Sequence, residues 1–386
     1  MDKRPWAEDE NLGIEKEENL QADRERAENR KTVRRVFGRV ALGLSAMIIA
    51  VPLLMEVLAP AILDEIPGGE NDFNVVFLIS VLILYSVGII TYLVLKQWVP
   101  NAPAEPFDEK MQTPTEIFGN DMQPEQWADH KTELSRPRKL TLGMGSKLVV
   151  ICLALGFVFN LITMGINYGI NLFNHAREVR EITQQYLETG YEMIPEPPYF
   201  LEADPLLEVV GRLNPILAFL IIVVTTSIFE EMIFRKLLYD KLNVFGGKVF
   251  VIVSSLLFAL FHQNHRQLIY TFVVGLVFAG VMYYTQKVSY CILLHMAFNS
   301  FGTLAMYVQE MSEMIQGVFG ILSLGLLVTG IVFLIKGIVT AKRWATFEPA
   351  QIEVKKRGDI FFNPGMIIFI VLSIAGMIGN ALYFAA

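Results

Sequence analysis

Long apolar blocks separated by polar stretches dominate this chain. A hydrocarbon core about 30 Å thick requires about 20 apolar residues in a helix, and the blocks have roughly that length. Strands of a β-barrel would instead alternate over short segments. We therefore predict an all-α polytopic membrane protein with about nine transmembrane helices. They cover residues 40–63, 73–97, 148–173, 210–235, 246–263, 267–286, 288–308, 315–336 and 364–385.

The spacing of these blocks predicts four segments. Residues 1–36 form a charged tail, which is either a solvated helix or disordered. Residues 37–209 hold three helices with two long polar connections, 98–147 and 174–209. Residues 210–308 form a core of four helices, and two more helices follow in residues 309–386.

Composition narrows the possible functions. Hydrophobic residues make up 53% of the chain and charged residues 18%, and the formal net charge of −7 gives no support for nucleic-acid binding. Cys152 and Cys291 both fall within apolar blocks, so neither a disulfide framework nor a thiolate zinc site is expected. Lysine and arginine gather in the tail, in 98–147 and before the last helix. This bias predicts a cytoplasmic N-terminus, and we expect the plasma membrane.

One apolar block ends in two adjacent glutamates, Glu230 and Glu231, followed by Arg235. Ionisable groups inside a membrane are energetically unfavourable and usually mark function. Neighbouring residues on a helix point about 100° apart, so the two glutamates must have different surroundings. Glu231 and Arg235 have the i,i+4 spacing of an ion pair, which leaves Glu230 free to face a cavity. The alternative is a helix that has simply reached the membrane surface.

Two later blocks also carry polar groups. His262 follows Phe258 by one turn, and a neutral imidazole there could bond water or bind a metal; alternatively, it is an interfacial histidine. His295 and Asn299 share a helix face and could both donate to one oxyanion. They could equally hydrogen-bond neighbouring helices. Together the three blocks supply a base, imidazoles and an oxyanion donor, which is what a hydrolase requires.

These three motifs resemble those of the CAAX protease and bacteriocin-processing family, also called type II CAAX prenyl endopeptidases. The family motifs are Glu-Glu-x-x-x-Arg, Phe-x-x-x-His and His-x-x-x-Asn or Asp, and all three occur here in the family's order. The resemblance covers about residues 210–305. One departure is Lys236, where the family very often has glycine after the arginine.

The resemblance implies six catalytic residues, which are Glu230, Glu231, Arg235, His262, His295 and Asn299. It implies that the first glutamate activates the attacking water with the help of His262. The second glutamate and the arginine would support it, while His295 and Asn299 would stabilise the tetrahedral oxyanion. The family is often described as metalloproteases, and Glu230, His262 and His295 would form a two-histidine, one-carboxylate zinc set. A metal-free glutamate mechanism is equally compatible with these residues.

Other intramembrane proteases fit the sequence less well. The chain lacks the His-Glu-x-x-His of zinc proteases and the Gly-x-Ser-x-Gly of rhomboid-like serine proteases. The expected partners are the lipid bilayer and a peptide or protein substrate, either a lipidated CAAX-type tail or a bacteriocin-type peptide. Two other classes stay open. One is a polytopic transporter, although no matching repeats are visible, and the other is a non-catalytic membrane immunity or scaffold protein.

Overall fold

The computed structural model describes residues 5–66, 72–100, 137–189, 210–340 and 350–385, and this part of the chain contains helices but no strands. In chain order the helices are α1 Pro5–Leu63, α2 Phe73–Trp98, α3 Leu142–Thr189, α4 Pro215–Phe245, α5 Gly247–Phe261, α6 His265–Thr285, α7 Val288–Val308, α8 Glu313–Thr340, α9 Gly358–Phe361 and α10 Pro364–Ala385.

Within the described residues, eight helices are long and apolar enough to cross a membrane. The remaining apolar helix, α5, has 15 residues and is therefore about 22 Å long, too short to cross the hydrocarbon core. The fold is that of an all-α polytopic membrane protein, and the prediction of the fold class is confirmed. The predicted transmembrane helix 246–263 is present as the shorter α5, so the structure describes eight candidate spans where about nine were predicted.

Several helix boundaries differ from the predictions. α1 is continuous from residue 5, so the described part of the charged tail is helical, and α3 continues to Thr189. α4 continues about ten residues past its predicted end at Arg235, because this arginine is buried in the protein and does not lie at the surface. The helix ends instead at Gly246, whose φ of +97° is readily accessible only to glycine.

The packing order brings the motif-bearing helices together. α7 lies along the middle of α4, and α5 packs against α6. α6 also contacts α3, which in turn packs against α8. α5 also packs against the second half of α4, so α4 contacts both of the other motif-bearing helices.

α1 packs against α2 and against α10 at the opposite end of the sequence. The contact with α10 depends on two glycines, because a Cβ atom on Gly365 would lie 2.0 Å from the carbonyl oxygen of Gly38. Arg30 also forms two hydrogen bonds with Asp359, of 2.9 and 3.1 Å. The hydrogen bond from Arg30 lowers the pKa of Asp359 below its ordinary value. The N-terminal helix is thus fixed to the C-terminal one.

Replacing Gly365 by alanine should destabilise the protein by about 1–3 kcal/mol, because the added methyl group would force α10 away from the backbone of α1. Gly379→Ala is the matched control, since no atom lies within 4 Å of a Cβ atom at this exposed position of the same helix. We expect the control to be neutral or slightly stabilising. Equilibrium unfolding in detergent micelles would measure both, and equal stability of the two variants would contradict the close contact.

Cationic side chains bind backbone carbonyl groups at one end of the bundle. Arg39 donates to the carbonyl of Trp98 over 2.7 Å, and Arg34 donates to Phe362 over 3.3 Å. Lys241, near the end of α4, donates to two carbonyls at the end of α2, Lys96 and Val99. These contacts place the C-terminal ends of α2 and α4 and the start of α10 at the same end of the bundle.

Candidate active site

The Glu-Glu-x-x-x-Arg motif lies on an irregular part of α4. Phe219–Thr225 and Met232–Leu237 are π-helical, and the α-helical turn Thr226–Glu231 lies between them. The hydroxyls of Thr225 and Thr226 donate to backbone carbonyls five residues earlier, over 2.8 and 3.0 Å, which satisfies two acceptors in the widened turns. Such π-helical turns occur frequently at functional sites.

Glu231 and Arg235 form the ion pair expected from their spacing. Nε of Arg235 lies 3.1 Å from Oε2 of Glu231, and both side chains have no exposed surface. The contact lacks hydrogen-bond geometry, and the three guanidinium nitrogens have no hydrogen-bond partner among the residues that the structure describes. The guanidinium lies instead 4.2 Å from the ring centre of Phe258 and 5.5 Å from that of Phe278. Aromatic faces attract a cation, so these rings partly compensate for the missing hydrogen bonds.

His295 connects the two glutamates. Its Nδ1 lies 2.8 Å from Oε1 of Glu231. An ionised carboxylate can only accept hydrogen bonds, so Nδ1 carries a proton and donates it. Nε2 points to the other glutamate and lies 3.7 Å from Oε2 of Glu230. The imidazole is enclosed by Phe278 and Phe258, with ring centres 5.2 and 5.9 Å away.

The two glutamates differ in their surroundings, as the sequence predicts. Glu231 is fully buried and contacts both Arg235 and His295. The side chain of Glu230 is 16% exposed, and its one described ionic contact is the longer approach to His295. Glu230 is therefore the carboxylate that water or a substrate could reach.

His262 lies directly after the end of α5, and its Nδ1 is 2.8 Å from the carbonyl oxygen of Phe258. A carbonyl only accepts, so Nδ1 is the protonated nitrogen and Nε2 of the neutral ring has a free lone pair. The phenyl ring of Phe258 packs edge-on against the imidazole at 4.7 Å. Within the described residues no hydrogen bond or ion pair joins His262 to Glu230. The role of His262 in catalysis stays a prediction.

Asn299 points toward α4. Its amide nitrogen donates to the carbonyl of Ile222 over 3.1 Å and approaches the hydroxyl of Ser227 at 3.4 Å. These hydrogen bonds hold α7 against the π-helical part of α4, as expected from the interhelical alternative. A role as oxyanion donor would require Asn299 to exchange one of these partners, and this role also stays a prediction.

The proposed zinc ligands do not form a metal site in this structure. In the part of the chain that the structure describes, no three histidine, cysteine, aspartate or glutamate side chains are close enough to hold a metal ion. Glu230 and His295 are neighbours, but the Nδ1 proton of His295 is donated to Glu231. His262 has no described contact with either residue.

Sequence reasoning missed residues around Glu230 that belong to other helices or lie one turn away. Tyr85 of α2 forms a 2.6 Å hydrogen bond with Thr226, and its ring packs 5.0 Å from Phe229. A Cβ atom on Gly88 would lie 1.7 Å from the ring of Phe229, so this ring requires a glycine in α2. The sequence does show hydroxyl-bearing residues just before Glu230, which could have indicated further polar groups at the site. Their contact with α2 could not be predicted from the sequence.

These features define a polytopic membrane protein with a carboxylate–histidine site enclosed by its helices. Residues 212–301 match the family model described as type II CAAX prenyl endopeptidase Rce1-like, and this range contains all three motifs. This match confirms the resemblance of residues 212–301 to the CAAX protease and bacteriocin-processing family that the three motifs predicted.

The comparison with curated proteins gives a similar protein, the membrane-embedded CAAX protease MroQ of Staphylococcus aureus (strain USA300). The two are 31% identical over 100 residues, which cover 24% of this chain and 40% of MroQ. The similarity thus spans less than half of the relative. No solved structure matches the chain significantly.

Proposed function

We propose that this chain is an intramembrane endopeptidase in which Glu230 activates the water that attacks a peptide bond. One observation carries the proposal: of two adjacent glutamates, Glu231 is fully buried against Arg235, while Glu230 is partly exposed beside His295. The family match of residues 212–301 and the similarity to a CAAX protease support a protease in general. The assignment of roles rests on the contacts described above.

The charges of the cluster favour Glu230 as the base. Arg235 offsets the charge of Glu231, so the remaining negative charge belongs to Glu230. A base must lie within hydrogen-bond reach of the proton that it takes. Water could meet this requirement beside Glu230, because this side chain keeps an exposed surface.

In the proposed reaction Glu230 removes a proton from water, and the oxygen of this water attacks the substrate carbonyl. The carbon–oxygen double bond becomes a single bond, and its electron pair forms the oxyanion. When the carbon–nitrogen bond breaks, Glu230 returns the proton to the leaving amine. His262 offers the free lone pair of Nε2 to orient the water, which is its proposed assisting role.

His295 and Asn299 are the proposed oxyanion donors. Glu231 holds the Nδ1 proton of His295, so the second nitrogen points toward Glu230. In the doubly protonated ring, Nε2 would donate to an oxyanion formed beside that carboxylate. Removal of one such donor typically lowers kcat by about 10²–10³-fold.

The proposal also includes the substrate class and the membrane location of the protein. The substrate is a peptide or protein, either a CAAX-type lipidated tail or a bacteriocin-type peptide, and it reaches the site from the bilayer. The arginines and lysines at one end of the bundle support a cytoplasmic N-terminus by the positive-inside rule. The plasma membrane is the proposed location.

Purified protein in lipid vesicles should cleave members of a library of lipidated and unlipidated peptides, with mass spectrometry identifying the new ends. His262→Ala should lower kcat by roughly 10–100-fold, because the water loses one of its proposed partners. His175→Ala is a control in α3 and should retain the wild-type rate. If no peptide in the library is cleaved, the scaffold function becomes the better explanation.

A zinc chelator tests the metal-dependent alternative in the same assay. We expect cleavage to continue, because Glu230, His262 and His295 do not converge as a ligand set in the described residues. Loss of activity that is restored by added Zn²⁺ would instead support the metalloprotease assignment. The chelator result is independent of the test of His262.

A further inference from the structure

Tyr85 brings α2, which lies outside the family match, to the proposed active site. Its hydroxyl is 2.6 Å from Oγ1 of Thr226. Its ring packs against Phe229, and Phe229 in turn occupies the space left by Gly88 on α2. The position of Tyr85 relative to α4 is therefore fixed by a hydrogen bond and by two packing contacts.

The direction of the hydrogen bond between Tyr85 and Thr226 follows from the number of protons. The hydroxyl of Thr226 has one proton and donates it to the carbonyl of Ile221 over 3.0 Å. Tyr85 must therefore be the donor to Thr226. The phenolic oxygen retains lone pairs that can accept a hydrogen bond.

Tyr85 is also close to Glu230. Thr226 and Glu230 are four residues apart on an α-helical turn, so they lie on the same face at a rise of about 6 Å. The hydrogen bond to Thr226 therefore places the Tyr85 hydroxyl about one helical turn from Glu230. Tyr85, Thr226 and Glu230 all keep some exposed surface.

A peptide substrate inside the membrane requires hydrogen-bond acceptors for its backbone N–H groups. Its backbone must lose helical hydrogen bonds where it is to be cut, and an unsatisfied N–H group is strongly disfavoured in a bilayer. Tyr85 offers an acceptor near the proposed base, and its own proton is already donated to Thr226. The contact would require no rearrangement of the resting site.

We propose that the phenolic oxygen of Tyr85 accepts a hydrogen bond from a backbone N–H group of the substrate near the scissile bond. This inference rests on the proposed endopeptidase function. It assigns part of the substrate-binding site to α2 and makes Tyr85 a residue that aligns the peptide with Glu230.

The test compares Tyr85→Phe with Tyr92→Phe in vesicle cleavage assays. Tyr85→Phe keeps the ring that packs on Phe229 but removes the acceptor, so kcat/KM should fall about tenfold, mainly through a higher KM. Tyr92→Phe makes the same chemical change two turns further along α2, where the side chain packs against the core. The Tyr92 variant should retain the wild-type value.

Peptides methylated at a single backbone nitrogen identify the proposed contact. For the wild type, one N-methyl position near the scissile bond should lower kcat/KM about tenfold, and Tyr85→Phe should lose nothing further with that peptide. Thr226→Val removes the group that orients the Tyr85 hydroxyl and should show a smaller loss, confined to the same position. A general effect on folding would lower cleavage of every peptide alike.

The outcomes separate this inference from the proposed function. If Glu230→Gln is inactive and Tyr85→Phe cleaves every peptide like the wild type, the role of Tyr85 is overturned while the protease proposal stands. If the losses from N-methylation and from Tyr85→Phe multiply at every position, Tyr85 does not bind the backbone. If Glu230→Gln cleaves at the wild-type rate, the proposed role of Glu230 as the base fails, and Tyr85 cannot be a residue that aligns the peptide with it.

Discussion

Glu230→Gln should lower kcat by roughly 10²–10⁴-fold, the contribution typical of a general base. The amide has nearly the same shape as the carboxylate but cannot take a proton from water. The rate of peptide cleavage in lipid vesicles measures the effect. KM should change much less, because the substrate makes its other contacts in both proteins.

Glu56→Gln provides the matched control for this prediction. Glu56 lies exposed on α1, another membrane-spanning helix, and its replacement removes the same charge without touching the site. The control should cleave at the wild-type rate. If the kcat of Glu230→Gln stays within about threefold of the wild-type value, the loss is far smaller than expected for a base. Another group must then activate the water.

Arg235→Met should destabilise the protein by about 3–5 kcal/mol, the range measured when one partner of a buried ion pair is removed. The loss is large because Glu231 would stay fully buried without its counter-charge. The double variant Glu231→Gln with Arg235→Met should recover most of this stability, since it leaves no buried charge at these positions. Equilibrium unfolding in mixed detergent micelles would compare the variants.

Lys236→Met is the control for Arg235→Met. Lys236 forms an i,i+4 ion pair with Asp240, but both side chains are about 40% exposed. An exposed pair of this kind contributes about 0–1 kcal/mol, so the control should lose little stability. Similar losses of stability for Lys236→Met and Arg235→Met would show that the burial of the Glu231–Arg235 pair does not determine the size of the loss.

The fold class and the ion pair between Glu231 and Arg235 could be predicted from the sequence, because apolar length and i,i+4 spacing determine them locally. The end of α4 could not be predicted in the same way. Hydropathy takes charged residues as the membrane surface, whereas tertiary packing here encloses Arg235 between two aromatic rings. The catalytic roles and the four-segment division of the chain stay predictions.

The extension of α4 also changes the expected depths of two site residues. With the predicted bounds 210–235 and 246–263, Glu230 would lie near the end of one helix and His262 near the far end of the next, at different depths in the membrane. In the structure Glu230 lies 16 residues before Gly246, and His262 lies 16 residues after it. Both therefore lie about 24 Å from the turn along their helices at the rise of an α-helix. The contacts of Asn299 and Tyr85 could not be predicted, because they depend on how distant helices pack.

The turn at Gly246 has a consequence for how this region can vary. α4 ends and α5 begins at this turn, so the number of residues in each helix determines how far Glu230 and His262 lie from it. One inserted residue in either helix would shift its functional group by about 1.5 Å and rotate it by about 100°. Between Glu230 and His262 we therefore expect the number of residues to be as restricted as the buried side chains and the glycine at the turn.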